Sequence, residues 1–351
     1  MVANLLKGRV VNHRLATLDA YRGFAAIAVV WFHLQAFMNI PRLGSAYLAV
    51  DLFFGLSGFV LARTYDDKFK QGLSARDFMI MRAMRLYPLY LIGFLISLPL
   101  LVGWARDGTM SSSATIVSAT ANLFLLPAPV ETHLNRIFPA NTPSWSLLLE
   151  YWVANLIFAI FWQKLHGALL SACIVLSGLC LAIVSIYNSG LDVGSHSYDL
   201  LGGVARVMFS FFLGVAIWRK VAAGTIAPKL PSILLVLCLG VILAVPRKTG
   251  LTFAAFDLVC VAVFFPVLIW LGSSAYEKRP WIGVSIGEAS YALYVTHMPI
   301  IHLLRYVDPT SRFLAILVAL ISIIALVGFG WLLHNKYDRW ARKLLHREAR
   351  T

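Results

Sequence analysis

The fold class this sequence predicts is all-α, a polytopic transmembrane helical bundle of about ten spans, N-in and C-in. Three observations carry that expectation. Hydrophobic residues fill 60% of the 351 positions and charged residues 13%, whereas a soluble domain is about 45–50% apolar and about 25% charged. Apolar blocks recur from near residue 21 to near residue 334, each close to the roughly 20 residues that cross a hydrocarbon core. Lys and Arg gather in the short segments between alternate blocks, as the positive-inside rule requires.

In order, the spans read as 20–38, 45–62, 86–103, 144–162, 167–187, 201–218, 231–246, 253–272, 285–303 and 312–334. The block near 115–130 is apolar but short, and Pro127 and Pro129 break it. It is expected to lie on the far side as an interfacial or re-entrant segment that does not span. With the N-terminus inside, 22 of the 30 Lys and Arg residues fall on the cytoplasmic side. The other side receives eight: Arg42, Arg106, Arg136, Arg206, Arg247, Lys248, Arg305 and Arg312. An eleventh span would place the basic C-terminal tail outside and spoil that asymmetry. The expected organisation is a cytoplasmic segment at 1–19, a transmembrane unit at 20–334 and a basic cytoplasmic tail at 335–351. No cleavable signal and no appended soluble domain are expected. The longest connection, 104–143, has a length that is often functional.

Composition also excludes classes. A net charge of +14 in a soluble chain would suggest nucleic acid. Here the basic residues sit between apolar blocks, so lipid is the expected partner and nucleic acid is not. Cys173, Cys180, Cys238 and Cys260 lie inside apolar blocks without partners at ligand spacing, so they are expected to pack and no metal is expected.

Ionisable groups inside spans are expensive and turn towards protein or a water-filled cavity. Five clusters stand out. In LDAYRGFAAIAVVWFHL (18–34), Arg22 and His33 are eleven apart, so they share one helix face about 16 Å apart along the axis. Asp19 can pair with Arg22 one turn away. An imidazole at the depth of His33 can take a proton from a hydroxyl, although a packing histidine beside an interfacial arginine also fits. In VDLFFGLSGFVLARTY (50–65), Asp51 begins a span and could orient His33. Ser57-Gly58 sits mid-span, where small residues favour packing. In RAMRLYPLY (82–90), Arg82 and Arg85 can anchor the span or grip an anion, with Arg63, Lys68 and Lys70 adding to one basic mouth and Tyr87 beside it. In NTPSWSLLLEYW (141–152), Ser146 and Glu150 share a face. Glu150 lies some six residues into its span, making it a functional candidate or half of a structural pair. In SIGEASYALYVTHMPI (285–300), Ser290, Tyr294 and His297 form a stripe with Tyr291 beside it. Pro299 should kink the span and free backbone groups.

Taken together in this order, these residues are similar to the acyltransferase 3 family of integral membrane proteins, from Leu18 to about residue 334. The most specific element is Arg22-x10-His33 preceded by LDAYRG. FFGLSGF, the Arg82/Arg85 pair with LYPLY, SWSLLLEYW and SYALYVTHMPI support it. The resemblance implies transfer of an acyl group, often acetyl, from a cytoplasmic coenzyme A thioester to a hydroxyl of an envelope or exported glycan. It implies acyl-CoA as co-substrate and no permanently bound cofactor. Many members carry an outer hydrolase-like domain of SGNH type. This sequence ends 17 residues after its last expected span and departs from those members.

On that reading His33, Arg22 and Glu150 form the reaction centre. Asp19, Arg63, Arg82, Arg85, Tyr87, Ser146, Tyr291, Tyr294 and His297 hold the substrates. Arg82 and Arg85, with Arg63, would hold CoA phosphates, and His33 would act either as general base or through an acyl-histidine relay. Arg22 is too far along a straight helix to touch the same atom as His33, which assigns it to CoA binding or to Asp19. Two other classes fit the residues alone. Intramembrane His, Arg and Glu also suit a proton-coupled transporter or flippase, although no inverted repeat is visible. A non-catalytic scaffold would tolerate changes at Arg22 and His33.

Overall fold

A computed structural model describes residues 15–246, 250–276, 280–304 and 309–341. The segment 1–14, the tail from 342 and charged residues such as Arg247, Lys278 and Arg305 lie outside the described residues, so the full charge asymmetry is not read from it. Among the described residues there are helices and two isolated bridges but no strand. The helices are α1 (Ala16–Leu34), α2 (Ala49–Lys70), α3 (Ala75–Arg106), α4 (Ser112–Leu123), α5 (Ser144–Phe161), α6 (Gly167–Asn188), α7 (Leu200–Ala222), α8 (Ser232–Ala244), α9 (Leu251–Gly272), α10 (Pro280–Leu304) and α11 (Arg312–Ala341). Each of the ten expected spans has its helix.

Seven of these helices, α2, α3, α5, α6, α7, α9 and α11, are long and apolar enough to cross a membrane. Polar residues lower the hydropathy of α1 and α10. Helix α8 has 13 residues, about 20 Å at 1.5 Å per residue, against a core of about 30 Å. The 115–130 block supplies α4, 12 residues long. Burial runs against hydropathy across the bundle. The most apolar helices, α6 and α11, with mean hydropathy 2.6 and 2.8, are 22% and 28% buried, while α2, at 1.5, is 78% buried. Apolar helices thus ring polar ones, the arrangement a lipid solvent selects. Cys180 on α6 and Cys238 on α8 are exposed on that outer ring rather than packed, unlike Cys260, which is buried.

Helices α2 and α7 run parallel along a seam of small residues. A Cβ on Gly58 would stand 1.9 Å from Phe211 O, and one on Gly214 would stand 2.0 Å from Gly55 O. Such seams let backbones approach where no hydrophobic drive separates helix from lipid. Ion pairs lock both ends. At one end Arg206 meets Asp51 at 2.7 Å, with side chains 1% and 0% exposed. Its remaining donors go to Val193 O and Tyr47 O, and its guanidinium lies over the Trp145 ring. At the other end Arg219 meets Asp66 at 2.9 Å, and Trp162 Nε1 also donates to Asp66.

Two expectations are corrected here. Arg206, counted among the far-side charges, stands inside α7 with a buried partner. Asp51 does not orient His33, because Arg206 occupies both of its carboxylate oxygens.

Helix α3 starts earlier than the expected span, at Ala75, where Ser74 Oγ accepts from Asp77 N as a helix cap. Arg82 and Arg85 therefore lie inside the helix rather than at its entrance. Helix α4 folds back along α3. Its last carbonyls, which have no partner within the helix, accept from Tyr87 (to Leu123 O, 2.9 Å) and Tyr90 (to Asn122 O).

Gly58→Ala should break the α2–α7 seam, because the backbone of Phe211 cannot yield as a flexible side chain would. Gly103→Ala, whose Cβ would meet nothing within 4 Å, should leave stability within about 0.5 kcal/mol or raise it slightly. Thermal unfolding in detergent followed by size exclusion checks this; an equal melting temperature for the two variants would contradict the seam.

Candidate functional site

The most extensive helix contact is between α1 and α10, which run parallel. Small residues make it close: a Cβ on Gly23 would strike Ile286, and one on Gly287 would strike Asp19. This approach brings together the two histidines. His297 Nε2 lies 3.2 Å from His33 Nδ1, with ring centroids 5.1 Å apart. His33 Nδ1 also lies 2.9 Å from Val29 O. His297 is fully buried, and its Nδ1 faces Leu293 O and Tyr294 O at 3.1 and 2.8 Å.

One turn back along α10, Tyr294 OH pairs with Ser146 Oγ at 2.7 Å and lies 3.2 Å from Pro143 O. Its ring sits 5.8 Å from that of His297. Pro299 has no N–H, so Val295 O loses its helical donor. Asn141 Nδ2 replaces it at 2.9 Å. The freed backbone group was legible in the sequence; its partner, 154 residues away, was not. Gly93 of α3 lets that backbone approach, since a Cβ there would lie 2.1 Å from Val295 O.

Further towards the end where α1 begins, Glu150 opens a π-helical stretch, Glu150–Asn155, of the kind found at functional sites. Its Oε1 accepts from Arg82 at 3.0 Å and from Ser57 Oγ at 2.6 Å. The Arg82 and Glu150 side chains are 6% and 13% exposed. Ser57 therefore does more than pack, and Arg82 is already committed to a carboxylate. Tyr291 OH donates to Leu86 O at 2.8 Å and Tyr87 OH to Leu123 O. Both hydroxyls thus tie helices together.

The remaining basic residues stand nearer the surface. Arg85 is exposed and Arg63 half-buried, the latter over the Trp218 ring at 5.9 Å. Arg22 comes within 4.0 Å of Asp19, with 28% of its side chain exposed. Arg22 and His33 thus occupy different levels of α1. The polar residues form a ladder through the bundle: Arg63, Arg85 and Arg22 at one end, then Arg82–Glu150–Ser57, then Ser146–Tyr294, then His297–His33. Beyond His33, at the opposite end, loop residues missed in the sequence gather. Arg136 donates to Ser195 Oγ, and Asp199 accepts from Gly194 N, His196 N and His196 Nδ1. Asp192 stands in the same 189–199 loop as Ser195 and His196. Among the described residues no group of three or more His, Cys, Asp or Glu gathers as a metal site would.

A family model described as acyltransferase domain matches residues 15–335. Acyltransferase MdmB of Streptomyces mycarofaciens is 27% identical over 95% of this chain and 93% of its own length. Peptidoglycan O-acetyltransferase OatA of Listeria monocytogenes is 26% identical over 90% of this chain. This chain spans 54% of OatA's length. Protein 2 in picA locus of Rhizobium radiobacter is 35% identical over 42% of this chain and 81% of its own length. No solved structure matches the chain.

The Arg82–Glu150 pair generates a stability prediction. Removing one member of a buried pair strands the other, at about 3–5 kcal/mol. Arg82→Ala should therefore lower the melting temperature far more than Arg85→Ala, whose side chain is exposed. Thermal unfolding of both variants measures this, and a larger loss for Arg85→Ala would contradict it.

Proposed function

The chain belongs to this acyltransferase family of integral membrane proteins, and from that premise we propose that it moves an acyl group, acetyl, from cytoplasmic acyl-CoA to a hydroxyl of an envelope or exported glycan. The observation that carries the reading is the depth order of the ladder: cations nearer the surface at one end and a histidine pair further inside the bundle. In this reading the basic end faces the cytoplasm of a bacterial cell and the bundle lies in the inner membrane.

Arg85, Arg63 and Arg22 hold the CoA phosphates, where guanidinium geometry suits phosphate oxygens. Arg82, neutralised by Glu150, shapes the passage instead of meeting phosphate. The pantetheine arm is long enough to follow the ladder inward, and Ser146, Tyr291 and Tyr294 line its course. The acceptor comes from the opposite end, past Arg136 and Asp192. Its hydroxyl oxygen attacks the thioester carbonyl while His33 takes the hydroxyl proton. The carbonyl re-forms as the carbon–sulfur bond breaks, leaving an ester on the sugar and a CoA thiolate that takes up a proton. MdmB and OatA, by their names an acyltransferase and a peptidoglycan O-acetyltransferase, support the reaction class, and OatA's name supports a glycan acceptor.

The test is purified protein in lipid with radiolabelled acetyl-CoA and envelope glycan from the producing cells. Label should appear in the glycan. His33→Ala should lose about 10²–10⁴-fold in rate, the range of general base catalysis. Arg63→Ala/Arg85→Ala should weaken acetyl-CoA binding and flatten its salt dependence. Full transfer by His33→Ala would remove the assignment of the base, and unchanged binding by the double variant would remove the phosphate site.

A further inference from the structure

The protons of the histidine pair can be placed from its neighbours alone. A neutral imidazole carries one N–H and one bare nitrogen. His297 Nδ1 faces two carbonyl oxygens, Leu293 O and Tyr294 O, which only accept. Nδ1 therefore carries the proton, and His297 Nε2 is an acceptor. That bare nitrogen and Val29 O both converge on His33 Nδ1. If His33 Nδ1 were also bare, three lone-pair groups would face one another beside the buried His297 with no donor among them, an arrangement buried polar groups avoid. His33 Nδ1 is thus the donor. Its Nε2 is left bare, the state a base or nucleophile requires.

We infer that His297 is a positioning residue, which holds His33 in the Nδ1–H tautomer with Nε2 turned to the reacting hydroxyl. The inference rests on the acyltransferase reading above. It assigns His297 a task that does not require contact with either substrate. When His33 Nε2 takes the hydroxyl proton, the ring becomes an imidazolium, and His297 Nε2 already accepts from its Nδ1–H. In a Ser-His-Asp triad a buried carboxylate does this. A carboxylate at this depth would be a lone charge whenever His33 is neutral, which is expensive in a membrane interior. A neutral ring avoids that charge.

The ring is held well enough to serve. Its Nδ1 is tied to its own helix, and the turn that carries it is fixed by Asn141 on Val295 O. Neighbouring groups do not compete for the bond. Tyr294 OH is occupied by Ser146 and Pro143 O, and Phe32, 5.5 Å from the His33 ring, offers no polar atom.

Two measurements test the pair. The first is nitrogen-15 NMR of histidine-labelled full-length protein in lipid nanodiscs, assigned by His33→Gln and His297→Gln. His33 should show a protonated Nδ1 and a bare Nε2, with a correlation from Nδ1–H to His297 Nε2. Protonation at His33 Nε2, or no correlation, would overturn the inference. The second compares acetyl transfer from radiolabelled acetyl-CoA to envelope glycan. His297→Leu should lose about 100-fold in kcat with KM for acetyl-CoA within twofold. His297→Gln, whose amide oxygen reaches the place of Nε2, should recover at least tenfold of that. A packing role would instead make Leu equal to or better than Gln, and that result would overturn the inference. If wild-type protein transferred no label, the acyltransferase reading would fail, and the NMR result would still decide whether His297 fixes the His33 tautomer.

Discussion

Water is absent from the hydrocarbon core, so every polar group carried into it must find its partner within the protein. The rest of this structure depends on that constraint. It explains why α2, one of the less apolar of the spanning helices, is the most buried, and why α2 and α7 meet as they do. Asp51 and Asp66 stand at opposite ends of α2, and each can be present only because α7 brings Arg206 or Arg219 to it. Once those pairs fix the register, Gly58 and Gly214 fall opposite backbone and the seam closes. Breaking a buried pair typically removes about 3–5 kcal/mol, a large part of the roughly 5–15 kcal/mol that stabilises an ordinary fold. Registry is therefore set by a few polar contacts and density by small residues.

The same constraint arranges the site. Glu150, Ser57 and Arg82 come from three helices and meet at Glu150 Oε1. Ser146 and Tyr294 meet one level on, and His297 and His33 at the next. The result is a polar path enclosed by apolar helices, with Arg63, Arg85 and Arg22 at one end. On the proposed reading a phosphate-bearing donor meets the cationic end, and His33 takes a proton from a hydroxyl. Depth, more than any single residue, separates the two tasks. Arg22 and His33 share a helix face, yet they stand at different levels of the path.

Much of this was legible in the sequence because it is local. Apolar block length gave the helices, and Arg22-x10-His33 with its companions gave the family. Helical spacing put Ser146 and Glu150 on one face of α5 and lined up Tyr294 and His297 on α10. The parts that were not legible are pairings between distant segments. Asp51 begins its helix near the level of His33, so the sequence suggested that contact, but Arg206, 155 positions away, takes both carboxylate oxygens. Ser57 beside Gly58 read as a packing pair, and only the fold brings Glu150 to it. Arg82 and Arg85 look alike in RAMRLYPLY, and the three-residue step that separates them places one inside against Glu150 and leaves the other exposed. Arg136 and Ser195 lie in loops without periodicity, and nothing in the chain announces the hydrogen bond between them.

The central claim is that the bundle is a reaction chamber joining two compartments, with the donor entering at the basic end and the acceptor at the other. Sidedness in proteoliposomes tests it most directly. Protein is reconstituted in one orientation, radiolabelled acetyl-CoA is supplied at one face and envelope glycan at the other, and the label reaching the glycan is counted. The account requires transfer when acetyl-CoA meets the face bearing Arg63 and Arg85 and the glycan is held at the opposite face, with no transfer when the two are exchanged. Transfer that occurs only when both substrates share one face would contradict it.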